Sequence, residues 1–394
     1  MVHPRRLLAA ALVITAFLTG GCWDRKEIEN RGYIVGAAID HASPEAKGRY
    51  DLDRAFQQVG TRKYRLSYEL PNFKKGVSGE QGGYESKVFS AEGETVYAAS
   101  RAIASKGYLP VFLEDLQVLL ISEEVAREGI KEIFDVFLRY PGMRRRATIL
   151  ITKGRAEDFL KRKPKTGTAL NGLNYPKLAT TVRKVPTLAS FSEFGYFSDA
   201  IRSKQGFSAP VIYMEGDEIK AAGAALFNSK GQMVGIADEY ETVGGKIWRN
   251  KFPQGAIMVS HPDKPETIAV FDVNESKTTV KPDFSGDTVR FIVEGEFGGT
   301  IGESEPVEEK PYSDEKNQNA IAQAVAAELT NHAYAVLKKE QTVHADTFEL
   351  GGLIRRKNPK YWEKIKDRWE DEIFPTVEAD VTITVKITGS GMTY

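Results

Sequence analysis

One cysteine in 394 residues, Cys22, leaves no internal disulfide to form and excludes thiolate metal sites and cysteine catalysis from the rest of the chain. The five histidines, His3, His41, His261, His332 and His344, include no His-Glu-x-x-His pair. His344-Ala345-Asp346 places a histidine two residues from a carboxylate, and His332 falls on an apolar stripe where a hydrogen-bonded core histidine is expected. No Gly-x-Ser-x-Gly elbow, Gly-x-Gly-x-x-Gly or Gly-x-x-x-x-Gly-Lys-Ser/Thr occurs. Gly295, Gly298, Gly299 and Gly302 follow a strand pattern and precede an acidic stretch without a helix start, so an interdomain linker is expected there and not a phosphate cradle. Charge of one sign is missing as well. With 54 Lys and Arg against 54 Asp and Glu the formal net charge is zero, and no global field recruits nucleic acid or anionic lipid. Beyond residue 22 no apolar run approaches the ~20 residues of a membrane-spanning helix. Carboxylates are abundant but no pair is marked for catalysis, so neither an enzyme nor a cofactor is indicated.

What is present begins at the start of the chain. Arg5 and Arg6 precede Leu7 to Leu18, a run apolar except at Thr15, and Gly20-Gly21 leads directly into Cys22. At ~1.5 Å per residue the apolar run covers about 18 Å, well short of the ~30 Å hydrocarbon layer, which suits an export signal better than a permanent span. The arrangement resembles the signal of bacterial lipoproteins, in which the cysteine after the cut carries a diacylglyceryl group on its sulfur. Residues 1–21 are then the expected signal peptide and Cys22 the lipidation site, with two acyl chains holding stably because each buried CH₂ contributes ~0.8 kcal/mol.

A body of about 370 residues is too long for one ordinary core. Tyr33 to Asp40, Leu116 to Ile121 and Ala147 to Thr152 are short continuous apolar runs, expected as buried strands. Arg62 to Leu70 alternates, with Tyr64, Leu66 and Tyr68 on one face, and Pro71-Asn72 is expected to end it. Glu94 to Lys106, closed by Gly107, is expected as a helix. So is the stretch from an N-cap at Ser122 to about Arg139, with Ile130, Ile133, Phe134, Phe137 and Leu138 on one face. Residues 187–202 read as a connecting helix. A hairpin follows, Glu218 to Phe227 and Gln232 to Ile236 around Asn228-Ser229-Lys230-Gly231. A short helix from Asp238 should stop at Gly244-Gly245, and further strands are expected at Gly255–Val259, Thr267–Val273, Ser276–Pro282 and Thr288–Phe297. Ser313 can cap a long helix to about Lys339, striped by Ile321, Val325, Leu329, His332 and Val336. Asn358-Pro359 starts a second, whose buried face carries Trp362, Ile365, Trp369 and Ile373, and Val377 to Ile387 alternates as a half-wet strand.

The expected fold class is therefore α+β in three unlike domains, each a mixed or antiparallel sheet packed with helices. Residues 22–202 form an N-terminal α/β domain with its connecting helix. A strand-rich middle domain covers 203–302, and 303–394 is a C-terminal antiparallel sheet with two long helices. Two basic clusters, Arg144-Arg145-Arg146 and Lys161-Arg162-Lys163-Pro164-Lys165, read either as contacts to membrane phosphates or an acidic partner, or as solvated loops balanced by nearby acids.

Cys22-Trp23-Asp24-Arg25-Lys26-Glu27-Ile28, then an apolar strand ending in Gly36-Ala37-Ala38-Ile39-Asp40, resembles the opening of the Ger(x)C spore germination lipoproteins. The likeness continues in the hairpin, Ala221 to Phe227 through Met233-Val234-Gly235, and at the close, where a tryptophan-containing helix leads into a last strand and Gly389-Ser390-Gly391. The resemblance implies a germinant receptor C subunit on the outer face of the spore inner membrane, non-enzymatic, partnered by an A subunit and a permease-like B subunit. Trp23, Asp24 and Glu27, beside the membrane by tethering, are candidates for partner or interface contact, against the alternative of a plain spacer. A second functional class stays open: a solute-binding lipoprotein that captures a small molecule for a transporter, which predicts two similar lobes with parallel sheets.

Overall fold

Two kinds of strand are visible in the apolar spacing: continuous apolar runs fill the centre of one sheet, and alternating strands flank it and build a second. The computed structural model describes residues 32–43, 63–73, 84–106, 110–140, 142–182, 185–285, 289–305 and 315–389. The leader, Cys22, Trp23, Asp24 and Glu27 lie outside the described residues, as do Gly107, Ser313, Ser390 and Gly391. The first stretch comprises β1 (Gly32–Tyr33), β2 (Gly36–His41), β3 (Tyr64–Phe73), β4 (Tyr84–Gly93), α1 (Val96–Ala104), β5 (Val111–Phe112), β6 (Val118–Ser122), α2 (Glu123–Glu128), α3 (Lys131–Arg139) and β7 (Thr148–Thr152). It continues through α4 (Ala156–Lys161), α5 (Asn171–Val182), α6 (Phe194–Arg202), β8 (Phe207–Glu215), β9 (Glu218–Phe227) and β10 (Met233–Ala237).

Eight of these strands form one sheet in the order β10-β9-β8-β7-β6-β2-β3-β4. The central four, β2, β6, β7 and β8, run parallel, and an antiparallel pair flanks them on each side. Continuous apolar runs suit the centre because both faces are covered there. Leu119, Ile121, Ile149 and Ile151 meet α1, α2, α3 and α6 through residues such as Phe134 and Phe197. Val118, Leu120 and Leu150 meet α4 and α5 through Phe159, Leu160 and Tyr175. The stacked rings Phe134–Phe194 and Phe207–Phe227, both at 4.7 Å, thicken the first layer.

The second stretch, α7 (Glu239–Trp248), β11 (Gly255–His261), β12 (Lys264–Asp283), β13 (Arg290–Glu305), α8 (Glu315–Thr342), α9 (Leu350–Lys357), α10 (Pro359–Ile365) and β14 (Glu378–Gly389), makes a four-stranded sheet in chain order. Here alternation leaves one face wet. The other packs on α8, whose Ile321, Val325, Leu329 and Val336 are all buried as the stripe predicts. Asn358 caps α10, accepting from Tyr361 N at 3.1 Å, with Pro359 in its first turn. The fold is α+β with helix-packed sheets, as expected. Residues 203–302 are shared between the sheets, since β8, β9 and β10 extend the first while β11, β12 and β13 begin the second.

Several local expectations are corrected. The C-terminal sheet is not antiparallel throughout: β14 runs parallel to β13, because the helices between them carry the chain back to the same end before it turns in. Ser122 does cap a helix, but Gly129, at φ +124°, splits the expected helix into α2 and α3, and Leu138 faces solvent at 51% exposure. Pro71 sits inside β3, not at its end. β2 stops pairing at Gly36 opposite Glu69, so the missing proline donor points where no neighbouring strand waits. The connecting helix begins only at Phe194. Trp362 and Ile373, placed on the buried face of the second C-terminal helix, are half-buried, while Ile365 and Trp369 are fully so. Thr267–Val273 and Ser276–Pro282 are one continuous strand, β12.

Glycines account for two larger differences. Gly295 to Gly302 form no linker; they lie within β13, where a Cβ on Gly299 would stand 2.0 Å from the Asp272 carbonyl oxygen across the bulged β12–β13 ladder. Gly244-Gly245 does not stop α7, which continues to Trp248. A Cβ on Gly244 would stand 1.9 Å from the carbonyl oxygen of His332 in α8, so glycine is what lets the two helices touch.

Candidate functional site

The side of the eight-stranded sheet covered by α4 and α5, beside which the chain enters β2, concentrates buried carboxylates and exposed lysines. β1 pairs in parallel with β5, and Ile34 N donates to Phe112 O at 3.0 Å. Val35 then donates to Glu69 O at 2.9 Å and accepts from Gln117 N at 3.0 Å, so the chain is held from both sides just before β2 begins. The start of α5 presses on this point: a Cβ on Gly172 would meet the Val35 carbonyl at 2.6 Å.

Three carboxylates hold the helices of this face. Glu69, fully buried on β3, accepts from Asn171 N at 2.9 Å and from Gly172 N, and from the Ser86 hydroxyl at 2.6 Å, capping α5. Asp40, the last residue of the Gly36–Asp40 segment, accepts from Ala156 N at 2.6 Å and Glu157 N at 2.9 Å and caps α4. Burial pushes both carboxyls up, and the backbone donors only partly offset it. Glu157 goes the other way. Burial alone would raise it, but Arg65 grips it with two bonds, at 2.7 and 3.0 Å, and Lys161 (2.6 Å), Ser90 and Arg155 add to the grip. Together they hold the carboxyl well below the usual range.

Between α4 and α5 runs the second basic cluster. Asn171 closes this loop by donating to Leu160 O at 3.0 Å and Arg162 O at 2.6 Å, and the Arg162 guanidinium donates to Asp217 O. Two open cavities flank the loop. One, of about 510 Å³, is walled by Ser86 and Val88 of β4 together with Lys161 and Lys165; the other, of about 460 Å³, reaches Tyr175, Lys177 and Ile219. In the first cluster, Arg144 pairs with Asp115 and Arg145 with Asp199, each at 2.6 Å, while Arg146 stays exposed.

A second concentration of charge joins the two sheets. Arg249, at the end of α7, donates to the Tyr196 hydroxyl of α6 at 3.0 Å, lies over the Phe191 ring and sits 3.8 Å from Glu349. The hairpin turn docks here too, with Ser229 N donating to Glu370 at 2.7 Å. The Asp346 of the His344–Asp346 pairing does not serve His344. It accepts from Leu350 N (2.9 Å), Gly351 N (2.8 Å) and Trp369 Nε1 (2.9 Å), capping α9. His332 is a core residue as expected, bonded through Nδ1 to Tyr240 O at 2.9 Å, and burial lowers its pKa. Sequence reasoning missed the Glu69 and Asp40 caps because donor and acceptor lie more than 100 residues apart in the chain, whereas Asp346 stands only four and five residues before the amides it accepts from and was paired with His344 instead. Among the described residues no group of three or more His, Cys, Asp or Glu is placed to hold a metal ion, and no helix is long and apolar enough to cross a membrane.

Two family models match the chain: the spore germination protein N-terminal domain over residues 24–214, and the spore germination B3/GerAC-like C-terminal region over residues 222–391. The boundary between them falls at the β8–β9 turn, within one continuous sheet. Spore germination protein YndF of Bacillus subtilis is 25% identical, covering 98% of this chain and 96% of its own. Spore germination protein B3 of the same organism is 26% identical over 94% of each. The crystal structure of the GerBC protein, 19% identical, shares the fold with a TM-score of 0.58 over 82% of this chain and 93% of that one.

Proposed function

The chain belongs to the Ger(x)C spore germination family, and from that premise we propose that it is the lipid-anchored C subunit of a nutrient germinant receptor. In this reading it carries no catalysis of its own. Tethered through Cys22 on the outer face of the spore inner membrane, it acts by contact with a membrane-embedded A subunit and a permease-like B subunit, with Trp23, Asp24 and Glu27 closest to them. The observation that carries the proposal is the extent of the family match, which begins two residues after Cys22 and runs to residue 391, leaving the whole body to this one role. The perturbed carboxylates Asp40, Glu69, Glu157 and Asp346 support it, since each is engaged in capping or bridging. A transporter-type capture lipoprotein would close two similar lobes on its solute. The two sheets here differ in strand number, direction and helix cover, which favours the receptor subunit.

Cys22→Ala tests the anchor. The variant body stays folded, shifts from the membrane to the soluble fraction and impairs germination, and mass spectrometry of the native protein finds a mature N-terminus at Cys22 bearing a diacylglyceryl group. Unchanged membrane retention with unchanged germination would count against the proposal.

A further inference from the structure

Zero net charge hides a separation of charge along the molecule. Lys163, Lys165 and Lys177 are exposed around the cavities that flank the α4–α5 loop; the acids Glu85, Asp217 and Glu218 also line these cavities, but no ion pair joins any of the three lysines to a carboxylate among the described residues. Their neighbours Lys161 and Arg162 are held by Glu157 and Asp217, so the loop is kept in place by its paired cations while the unpaired ones face outward. Both ends of the loop are pinned where the chain enters: Leu160 packs against Gly36, and Gly172 against Val35. The wet face of the four-stranded sheet has the opposite bias. Lys281 and Arg290 neutralise Glu294 and Asp380 there, and Lys277 lies opposite Glu296; with Lys386 as a further exposed cation, Asp272, Glu275, Glu303 and Glu378 still leave acids in excess. That sheet follows β10, five strand spacings from β2, or about 24 Å.

We infer that the Lys163–Lys165–Lys177 surface rests on the anionic phospholipid headgroups of the membrane that holds Cys22. The inference rests on the lipid-anchored reading: the segment from Cys22 to Gly32 spans at most ~36 Å even fully extended, so the tether keeps the body within that reach of the bilayer and the charges select which side faces it. Three lysines near an anionic leaflet supply a substantial, salt-sensitive attraction. The acidic sheet face is repelled, so lysines and acids together turn the body in one sense.

The test uses the acylated full chain reconstituted on phosphatidylcholine vesicles and on vesicles that also contain phosphatidylglycerol. Amine-reactive labelling is read by peptide mass spectrometry, with the exposed Lys281 as internal reference. Labelling of Lys163, Lys165 and Lys177 relative to Lys281 should fall about tenfold on the anionic vesicles and recover at high salt, as expected for ammonium groups drawn to the surface by charge. Equal labelling on both vesicle types overturns the inference. So does the same protection from inorganic phosphate without vesicles, which would make the surface a free-anion site. Flotation with the neutral vesicles reports separately on the acyl anchor, so failure of the anchor and failure of the lysine contact are read in different measurements.

Discussion

Gly244 and Gly245 are adjacent residues in the middle of α7, and the structure gives the same substitution opposite signs at the two positions. Helix propensity alone makes Gly→Ala stabilising by about 1 kcal/mol at either. At Gly245 the nearest atom to an added Cβ is Phe348 Cε1 at 4.0 Å, so Gly245→Ala should realise that gain. At Gly244 the Cβ would lie 1.9 Å from His332 O, 2.5 Å from His332 C and 2.8 Å from Val336 Cγ1. Two of the three are backbone atoms of α8, so the helices must separate by roughly 1–1.5 Å to reach ordinary contact. Two hydrogen bonds cross the same interface, Trp248 Nε1 to Ala333 O and His332 Nδ1 to Tyr240 O, both 2.9 Å, and the Trp248–Phe348 stack at 5.1 Å lies beside them. Losing two bonds at about 1 kcal/mol each and overpacking by about 1–3 kcal/mol, less the propensity gain, leaves Gly244→Ala destabilised by about 2–4 kcal/mol. Urea unfolding of the two variants and the native chain, followed by tryptophan fluorescence, measures the difference. A Gly244→Ala midpoint equal to or above that of Gly245→Ala would refute the close packing of α7 on α8.

Two further expectations follow from buried carboxylates. Glu340 is 1% exposed and accepts from Thr347 N at 2.9 Å; burial pushes its carboxyl well above the usual range against the pull of those bonds and of Arg249. A group raised on folding contributes stability that is complete below its unfolded value near 4.5 and is lost as pH rises through the folded value. Glu340→Gln should therefore gain on the native chain as pH rises from about 5, by up to ~1.4 kcal/mol per pH unit; urea midpoints at a series of pH values check it, and a constant difference would show the carboxyl ionises normally. Asp346→Ala strands the Leu350 and Gly351 amides and the Trp369 indole N–H in the interior, at a cost of about 3–5 kcal/mol, and Asp346→Asn, which keeps one acceptor oxygen, should fall between. If Asp346→Ala unfolds at the native midpoint, the cap is not what holds α9 to Trp369.

The apolar spacing of the sequence by itself determined which residues go inside. The continuous runs of β2, β6 and β7 became the covered centre of a sheet, the stripe from Ile321 to Val336 became the buried side of α8, and β14 alternates residue by residue. The hairpin around Asn228 to Gly231 and the Asn358-Pro359 helix start were also legible, because a turn or a cap is made by residues a few positions apart. The lipid anchor proposed at Cys22 is read from the sequence alone. Only the tertiary structure decided what those inside faces meet. Asp40 caps a helix 116 residues away, β14 lies parallel to β13 although the alternation fits either direction, and Gly244 continues a helix because another backbone lies against it. Local patterns fix burial through solvent, which every residue meets alone. Pairing and close approach depend on distant segments arriving together, and no window of sequence contains both partners.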